Sequence, residues 1–389
     1  MIDYSKILSD TVVGIKPSGI RKFFDIAATM DDVISLGVGE PDFQTPWSVR
    51  KAGITSLEKG KTKYTSNSGL EKLRQEISNY IDRKYGVSYD ASHEVLVSVG
   101  GSEAIDATLR AVITPGDEVI IPQPSYVCYE PITKLCGGVP VIIETLAEND
   151  FKVTPEQLKN AISDKTKALI LPYPCNPTGA IMERADLQAL AEVLRDTNIL
   201  VISDEIYSEL TFSDKPHVSI ASIDGMRERT AMINGFSKTF SMTGWRLGFA
   251  CGPQQIISQL TKIHQFAIMC APTMSQYAAI EALRGCDEAV AQMKAEYNRR
   301  RRLMVDGFNK AGLACREPKG AFYAFPCIKS TGLTSDEFCE KLLEKKHVAV
   351  VPGTAFGKGG EGFVRASYCY SPEHIIEAIR RIEEFVKEI

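Results

Sequence analysis

The chain has 389 residues, too many for one ordinary core, so two units or one large unit with a satellite are expected. Apolar residues make up 44% and charged residues 24%, and the formal net charge is -4, a balance that argues against nucleic acid or an anionic membrane as partner. Ten cysteines without a C-x-x-C pair and five scattered histidines point to reduced thiols in a cytoplasmic setting, and away from a disulfide frame or a metal site.

In chain order, the N-terminal stretch "MIDYSKILSDTVVGIKPSGIRKFFDIA" has neither a long apolar centre nor a small-residue cleavage site, so no secretory signal is expected. No run approaches the roughly 18 apolar residues of a membrane span. Seven short β-rich runs follow: Val95–Val99, Glu118–Pro122, Val139–Ile143, Ala168–Pro172, Leu200–Asp204, Ala231–Asn234 and Arg246–Cys251. Most are apolar throughout rather than alternating, the pattern of strands buried on both faces. Helical spacing lies between many of them, as at Ser102–Thr114, Pro155–Ile162 and Arg184–Asp196. Strands alternating with helices predict an α/β fold whose large domain holds a seven-stranded, mainly parallel sheet flanked by helices.

After Cys251 the texture changes. A helix-like region runs from Ser275 to Ala311 and contains four consecutive arginines, Arg299 to Arg302, expected to form a solvated helix face rather than a nucleic-acid patch. Then "GAFYAFPCI", "HVAVVPG" and "GFVRASYCY" supply the shorter strands of a smaller α+β domain. The expected division is a large domain over 46–285 and a small one over 286–389. Residues 1–45 pack on the small one, so that both chain ends build it. A cleft between two closely packed units is the natural ligand site.

In a parallel α/β sheet, functional residues gather at the C-terminal ends of the strands. After Val99 comes "GGSEAI": glycines let the backbone approach a ligand, and Ser102 opens a helix whose free N–H groups favour an anion. The spacing is not G-x-G-x-x-G, which disfavours a dinucleotide. After Leu171 comes "PYPCNPTG", with a turn signal at Asn176 and Pro177. Asp204 ends a buried strand, where a carboxylate needs a cationic or N–H partner; read blandly it caps a helix, with Tyr207 one turn on. After Ile233 comes "NGFSKTFSMTGWRLGF", which carries Lys238 and Arg246 with no acidic neighbour. A ligand answering all of these has a cationic ring nitrogen, a phenolic oxygen, an aldehyde and a phosphate, groups that pyridoxal 5'-phosphate combines.

The chain resembles the class I/II aminotransferases of the fold-type I pyridoxal-phosphate family, the aspartate, aromatic and alanine aminotransferases among them. The match covers nearly the whole length, through "SLGVGEPDFQTP", "YTSNSGLEKLR", "GGSEAI", "PSYVCY", "PYPCNPTGA", "SDEIYSEL", "GFSKTFSMTGWRLGF", "PKGAFYAF", "VPGTAFG" and "FVRASY" in family order. The resemblance implies that Lys238 forms the Schiff base with the cofactor and shuttles the substrate proton. Asp204 would bind the pyridine nitrogen, Asn176 and Tyr207 the phenolic oxygen, and Tyr126 the ring face. Gly101, Ser102, Ser237 and Arg246 would hold the phosphate, and Arg365, with the Gly39 backbone, the substrate α-carboxylate. It further implies a homodimer in which Tyr64 reaches the phosphate at the partner's site, with Thr273 a weaker candidate for the same crossing.

The implied reaction is ping-pong transamination between an L-amino acid and a 2-oxo acid, with 2-oxoglutarate the expected acceptor. In "KPSGIRKF", Gly19 and Ile20 after Ser18 suit a distal carboxylate poorly, which tilts the donor towards aromatic amino acids or alanine over aspartate; Arg21 or Lys22 could still supply a distal cation. The alternative is a carbon–sulfur β-lyase of the same fold, sharing Lys238, Asp204 and Arg365. A pyridoxal-phosphate-binding transcription regulator would need a DNA-binding module before "SGIRKFFD", where only about twenty residues stand. A non-catalytic binding protein is disfavoured by the lysine.

Overall fold

The computed structural model describes residues 2–17, 19, 30 and 32–389. Strand β1 (Ile34–Ser35) comes first. The main sheet follows as β2 (Val95–Ser98), β3 (Glu118–Gln123), β4 (Val139–Glu144), β5 (Thr166–Leu171), β6 (Leu200–Asp204), β7 (Thr230–Gly235) and β8 (Gly248–Cys251). Four short strands close the chain: β9 (Tyr323–Ala324), β10 (Val348–Ala349), β11 (Val351–Pro352) and β12 (Val364–Ser367). The seven predicted runs are the seven strands of the main sheet, with ends differing by at most two residues.

The main sheet runs β2-β8-β7-β6-β5-β3-β4. β8 runs antiparallel to both of its neighbours, β2 and β7, and the other neighbouring pairs are parallel. The apolar runs are explained by the two-sided burial of this sheet. Along β5, Leu169 and Leu171 pack into one cluster while Ala168 and Ile170 pack into another. Along β7, Met232 faces one side, and Ala231 and Ile233 the other. Successive strand side chains point to opposite faces, so both registers must be apolar. Fully burying each leucine or isoleucine contributes about 1.5–3 kcal/mol.

The smaller unit holds the sheet β11-β12-β9 and a pair in which β1 runs parallel to β10. Its core gathers Ile34 and Leu36 from the N-terminal side with Tyr297, Phe322, Phe338 and Phe385 from the C-terminal side.

Three expectations need correction. The Ser275–Ala311 region is two helices, Thr273–Gly285 and Asp287–Lys310, broken at Cys286. The four arginines are not one solvated face: Arg300 and Arg301 are 7% and 6% exposed. Arg300 donates to Asp42 at 2.7 Å and to Glu296 at 2.8 Å, while Arg301 donates to the Pro318 carbonyl at 2.9 Å and pairs with Glu317 at 2.7 Å. These partners, apart from Glu296, lie far along the chain or beyond the helix end, where residue spacing on the helix cannot announce them. No helix starts after Asp204; Ile206 to Glu209 form a turn, and the Asp204 carboxylate accepts from the Ile206 N–H at 3.2 Å.

Candidate active site

The C-terminal edge of the main sheet faces the smaller unit across a cleft of about 530 Å³. Gly101, Ser102, Tyr126, Asn176, Asp204, Tyr207, Ser237, Lys238, Arg246, Gly39 and Arg365 all line it. Each main-sheet residue follows the end of its strand, Gly101 and Ser102 after β2, Tyr126 after β3, Asn176 after β5, and Ser237 and Lys238 after β7. Arg246 arrives differently. It precedes the antiparallel β8, whose first residue, Gly248, pairs with Ser98 and Gly235 at this same edge. Left-handed backbone at Ser241 (φ 52°) and Arg246 (φ 51°) lets the chain turn back within that short span. The strand therefore starts two residues later than predicted, because Arg246 belongs to the turn.

Tyr64 stands apart: it is 81% exposed and does not line this cleft. Thr273 donates to the carbonyl of its neighbour Lys63 at 2.8 Å.

Lys238 is part-buried, and its Nζ donates to the Gly39 carbonyl at 2.6 Å. Burial disfavours the ammonium form and lowers its pKa to about 8. Below that pH the amine is protonated; above it, it is a neutral nucleophile and base. Acylation of Lys238 in the cofactor-free protein, followed by peptide mass spectrometry, is expected to rise to half its maximum near pH 8, where lysines at their ordinary value of 10.5 are still unreactive. A midpoint matching the other lysines would contradict this environment.

Asp204 is 6% exposed and accepts from the Tyr129 hydroxyl at 2.7 Å. Burial raises its pKa, while the Tyr129 and Ile206 donors work the other way. No cation among the described residues forms an ion pair with it, although a buried carboxylate is costly without one. Tyr126 meets the Tyr129 ring edge-on at 5.9 Å, beside the same carboxylate.

Arg365 lies on β12, where Val364 and Ala366 face the core and Arg365 takes the opposite register. It is 3% exposed, between the rings of Tyr323 at 4.4 Å and Phe356 at 4.8 Å. Its Nη1 donates to Asn176 Oδ1 at 2.9 Å and its Nη2 to the Gly37 carbonyl, but its Nε is buried without a partner. The Tyr207 and Tyr323 hydroxyls share a hydrogen bond of 2.9 Å.

Two glycines are required by close approach. At Gly100 (φ 82°) an added Cβ would lie 2.9 Å from Arg246 Nη2, so a guanidinium and bare backbone N–H groups share one small space. At Gly39 an added Cβ would lie 2.1 Å from the Tyr323 hydroxyl. Gly39→Ala is expected to cost about 1–3 kcal/mol in chemical denaturation, since Tyr323 must move and release Tyr207. An unchanged midpoint would mean that the backbone yields there freely.

Sequence reasoning passed over Tyr129 and Tyr323. Both stand inside quoted motifs, "PSYVCY" and "PKGAFYAF", and the available signal was an aromatic residue with a polar tip beside an identified site segment.

The residues fit pyridoxal 5'-phosphate on three observations: a buried carboxylate without a cation, a buried arginine donor without an acceptor, and a glycine-backed guanidinium cradle. The model of the family described as aminotransferase class I and II matches residues 31–382. The chain is 47% identical to an aspartate aminotransferase of Pyrococcus abyssi (strain GE5 / Orsay), over 98% of each chain. It is 42% identical to aromatic-amino-acid aminotransferase 2 of Thermococcus litoralis, again over 98% of each. The crystal structure of an aromatic aminotransferase from Pyrococcus horikoshii OT3 superimposes with a TM-score of 0.90 at 44% identity, covering 95% of this chain and 99% of that one. The chain belongs to the aminotransferase class I and II family.

Proposed function

We propose that the protein is a pyridoxal 5'-phosphate-dependent aminotransferase. In this reading it moves the amine of an aromatic amino acid, alanine or aspartate to 2-oxoglutarate in ping-pong order. The observation that carries it is the meeting of Lys238, with its pKa lowered to about 8, cation-free Asp204 and open-donor Arg365 in one cleft. When bound, pyridoxal 5'-phosphate supplies a ring that withdraws electrons from the substrate α-carbon.

The chain's own residues then have distinct tasks. Ser102, Ser237, Arg246 and the Gly101 N–H hold the phosphate, and Asp204 holds the ring nitrogen. Tyr126 covers the ring face, and Asn176 and Tyr207 stand at the phenolic oxygen. Arg365 binds the α-carboxylate in charge-assisted bonds, with the Gly39 backbone beside it. Lys238 would hold the group through its Nζ. Its neutral Nζ takes the α-proton and returns it during turnover, which requires the lowered pKa.

A homodimer is part of the proposal, with Tyr64 contributing to the partner's phosphate site. Its support is exposure: Tyr64, Trp47 at 61% and Phe266 at 87% stand clear of their own subunit. No helix among the described residues is long and apolar enough to cross a membrane, and a cytoplasmic location is proposed with the rest. For the donor side chain, the cations lining the cleft among the described residues are Lys238, Arg246 and Arg365, each already assigned. That supports aromatic or alanine donors; Ser18, Ile20, Arg21 and Lys22 lie outside the described residues.

An amino-donor panel against 2-oxoglutarate, scored by glutamate release, tests the reading. Glutamate from aromatic amino acids, alanine or aspartate is the expected result. Pyruvate from cystathionine, with no glutamate from any donor, would replace transamination by β-elimination.

A further inference from the structure

A second carboxylate follows Asp204 in the chain and serves none of the tasks above. Glu205 does not line the cleft, and its side chain is 1% exposed. It accepts from Ser203 Oγ at 2.8 Å, from Ser219 Oγ at 2.7 Å and from His217 Nε2 at 2.8 Å. An ionised carboxylate can only accept, so Nε2 carries the hydrogen in this pairing. The His217 ring in turn meets the Tyr85 ring edge-on at 5.5 Å.

Tyr85 begins the other half of the network. Its hydroxyl bonds Ser208 Oγ at 2.7 Å, and Ser208 Oγ accepts from Asn234 Nδ2 at 3.0 Å. Asn234 lies on β7, four residues before Lys238, and its Oδ1 accepts from the Gly235 N–H at 2.7 Å. These polar groups thus tie the turn after β6, which follows Asp204 and carries Tyr207, to the strand that leads to Lys238.

The turn is not a helix, and two of its backbone bonds are made at Glu205, N–H to the Ile233 carbonyl at 2.8 Å and carbonyl to the Ser208 N–H at 2.9 Å, beside the Leu210 N–H to the Tyr207 carbonyl at 2.9 Å and the Ile206 N–H to the Asp204 carboxylate at 3.2 Å. An apolar side chain would fill the space behind it with no charge to desolvate. What a carboxylate adds there is direction, because three bonds from three separate positions leave its backbone one orientation.

We propose that Glu205, held by His217, Ser203 and Ser219, is a positioning residue. It sets the turn so that the Asp204 carboxylate and the Tyr207 hydroxyl stand where the bound ring requires them. This rests on the pyridoxal-phosphate reading. Positioning groups behind a site typically change affinity or rate by about 10- to 100-fold when removed.

The test compares Glu205→Ala and Glu205→Gln with the wild-type enzyme. Three quantities are measured: the dissociation constant for pyridoxal 5'-phosphate by protein fluorescence, kcat and KM for the amino donor, and the melting temperature of the cofactor-free protein. Glu205→Ala is expected to weaken cofactor binding about 10-fold and to lower kcat at least as much. KM for the donor should stay within about 3-fold, because Arg365 is untouched. Glu205→Gln keeps the shape and an acceptor for the serines, and should recover most of the binding. If Glu205→Ala does not fold, His217→Phe takes its place: it removes one bond, keeps a ring against Tyr85, and should shift both quantities in the same direction. A variant that binds cofactor and turns over like the wild type, with only a lower melting temperature, would reduce Glu205 to a fold brace and overturn the proposal. Wild-type protein that takes up no pyridoxal 5'-phosphate would overturn this proposal and its parent reading together.

Discussion

Lys238→Ala is expected to lower kcat by about 10,000-fold or more with every amino donor, because the proposed mechanism gives one atom two tasks. Nζ is the amine of lowered pKa in the cleft, and its loss would remove both the anchor and the proton shuttle that the proposal assigns to it. Cofactor should still bind, more weakly, since the contacts proposed for Ser102, Arg246 and Asp204 do not depend on the lysine. Equilibrium dialysis of the variant alongside steady-state rates separates the two effects. Full activity in that variant would sink the mechanism.

Arg365→Ala carries the second largest effect, a fall in kcat/KM of about 1,000-fold for all donors alike, from the loss of the charge-assisted bonds to the α-carboxylate that are proposed for it. KM should absorb most of it. The guanidinium is fixed by Asn176, by the Gly37 carbonyl and by two flanking rings, and one donor remains open. Arg365→Lys should recover little, because an ammonium cannot match the planar fork. A loss confined to acidic donors would instead reassign Arg365 to side-chain recognition. Melting temperatures of both variants distinguish lost binding from a disturbed fold, since a 3% exposed cation also braces the strands around it.

The main sheet was legible because two-sided burial forces apolar residues into both registers of a strand, as along Leu169 to Leu171. The candidate site was legible where its residues cluster at strand ends, and the cleft gathers the residues expected there but not Tyr64 or Thr273. The helix break at Cys286 was missed because the helices on either side carry similar apolar spacing across it. Gly285 and Asp287 flank that break, a helix breaker followed by an acidic first-turn residue, and they were the signal for it. Arg300 and Arg301 were misplaced for another reason: a run of like charges reads as solvated until its carboxylate and carbonyl partners are seen.

The sequence by itself determined the fold class, the strand order along the chain and the residue types at each strand end, since these follow from local patterns of burial and turn chemistry. Only the tertiary structure decided what those residues do to one another. The antiparallel β8 returns Arg246 to the edge that β7 gives Lys238. Gly39 and Tyr323, 284 residues apart by number, compete for one space. Tyr129 reaches across 75 positions to Asp204, and burial there sets the charge balance of the cleft. Electrostatics and steric fit depend on distances of a few ångströms between groups that the chain order separates, and no local pattern encodes such distances.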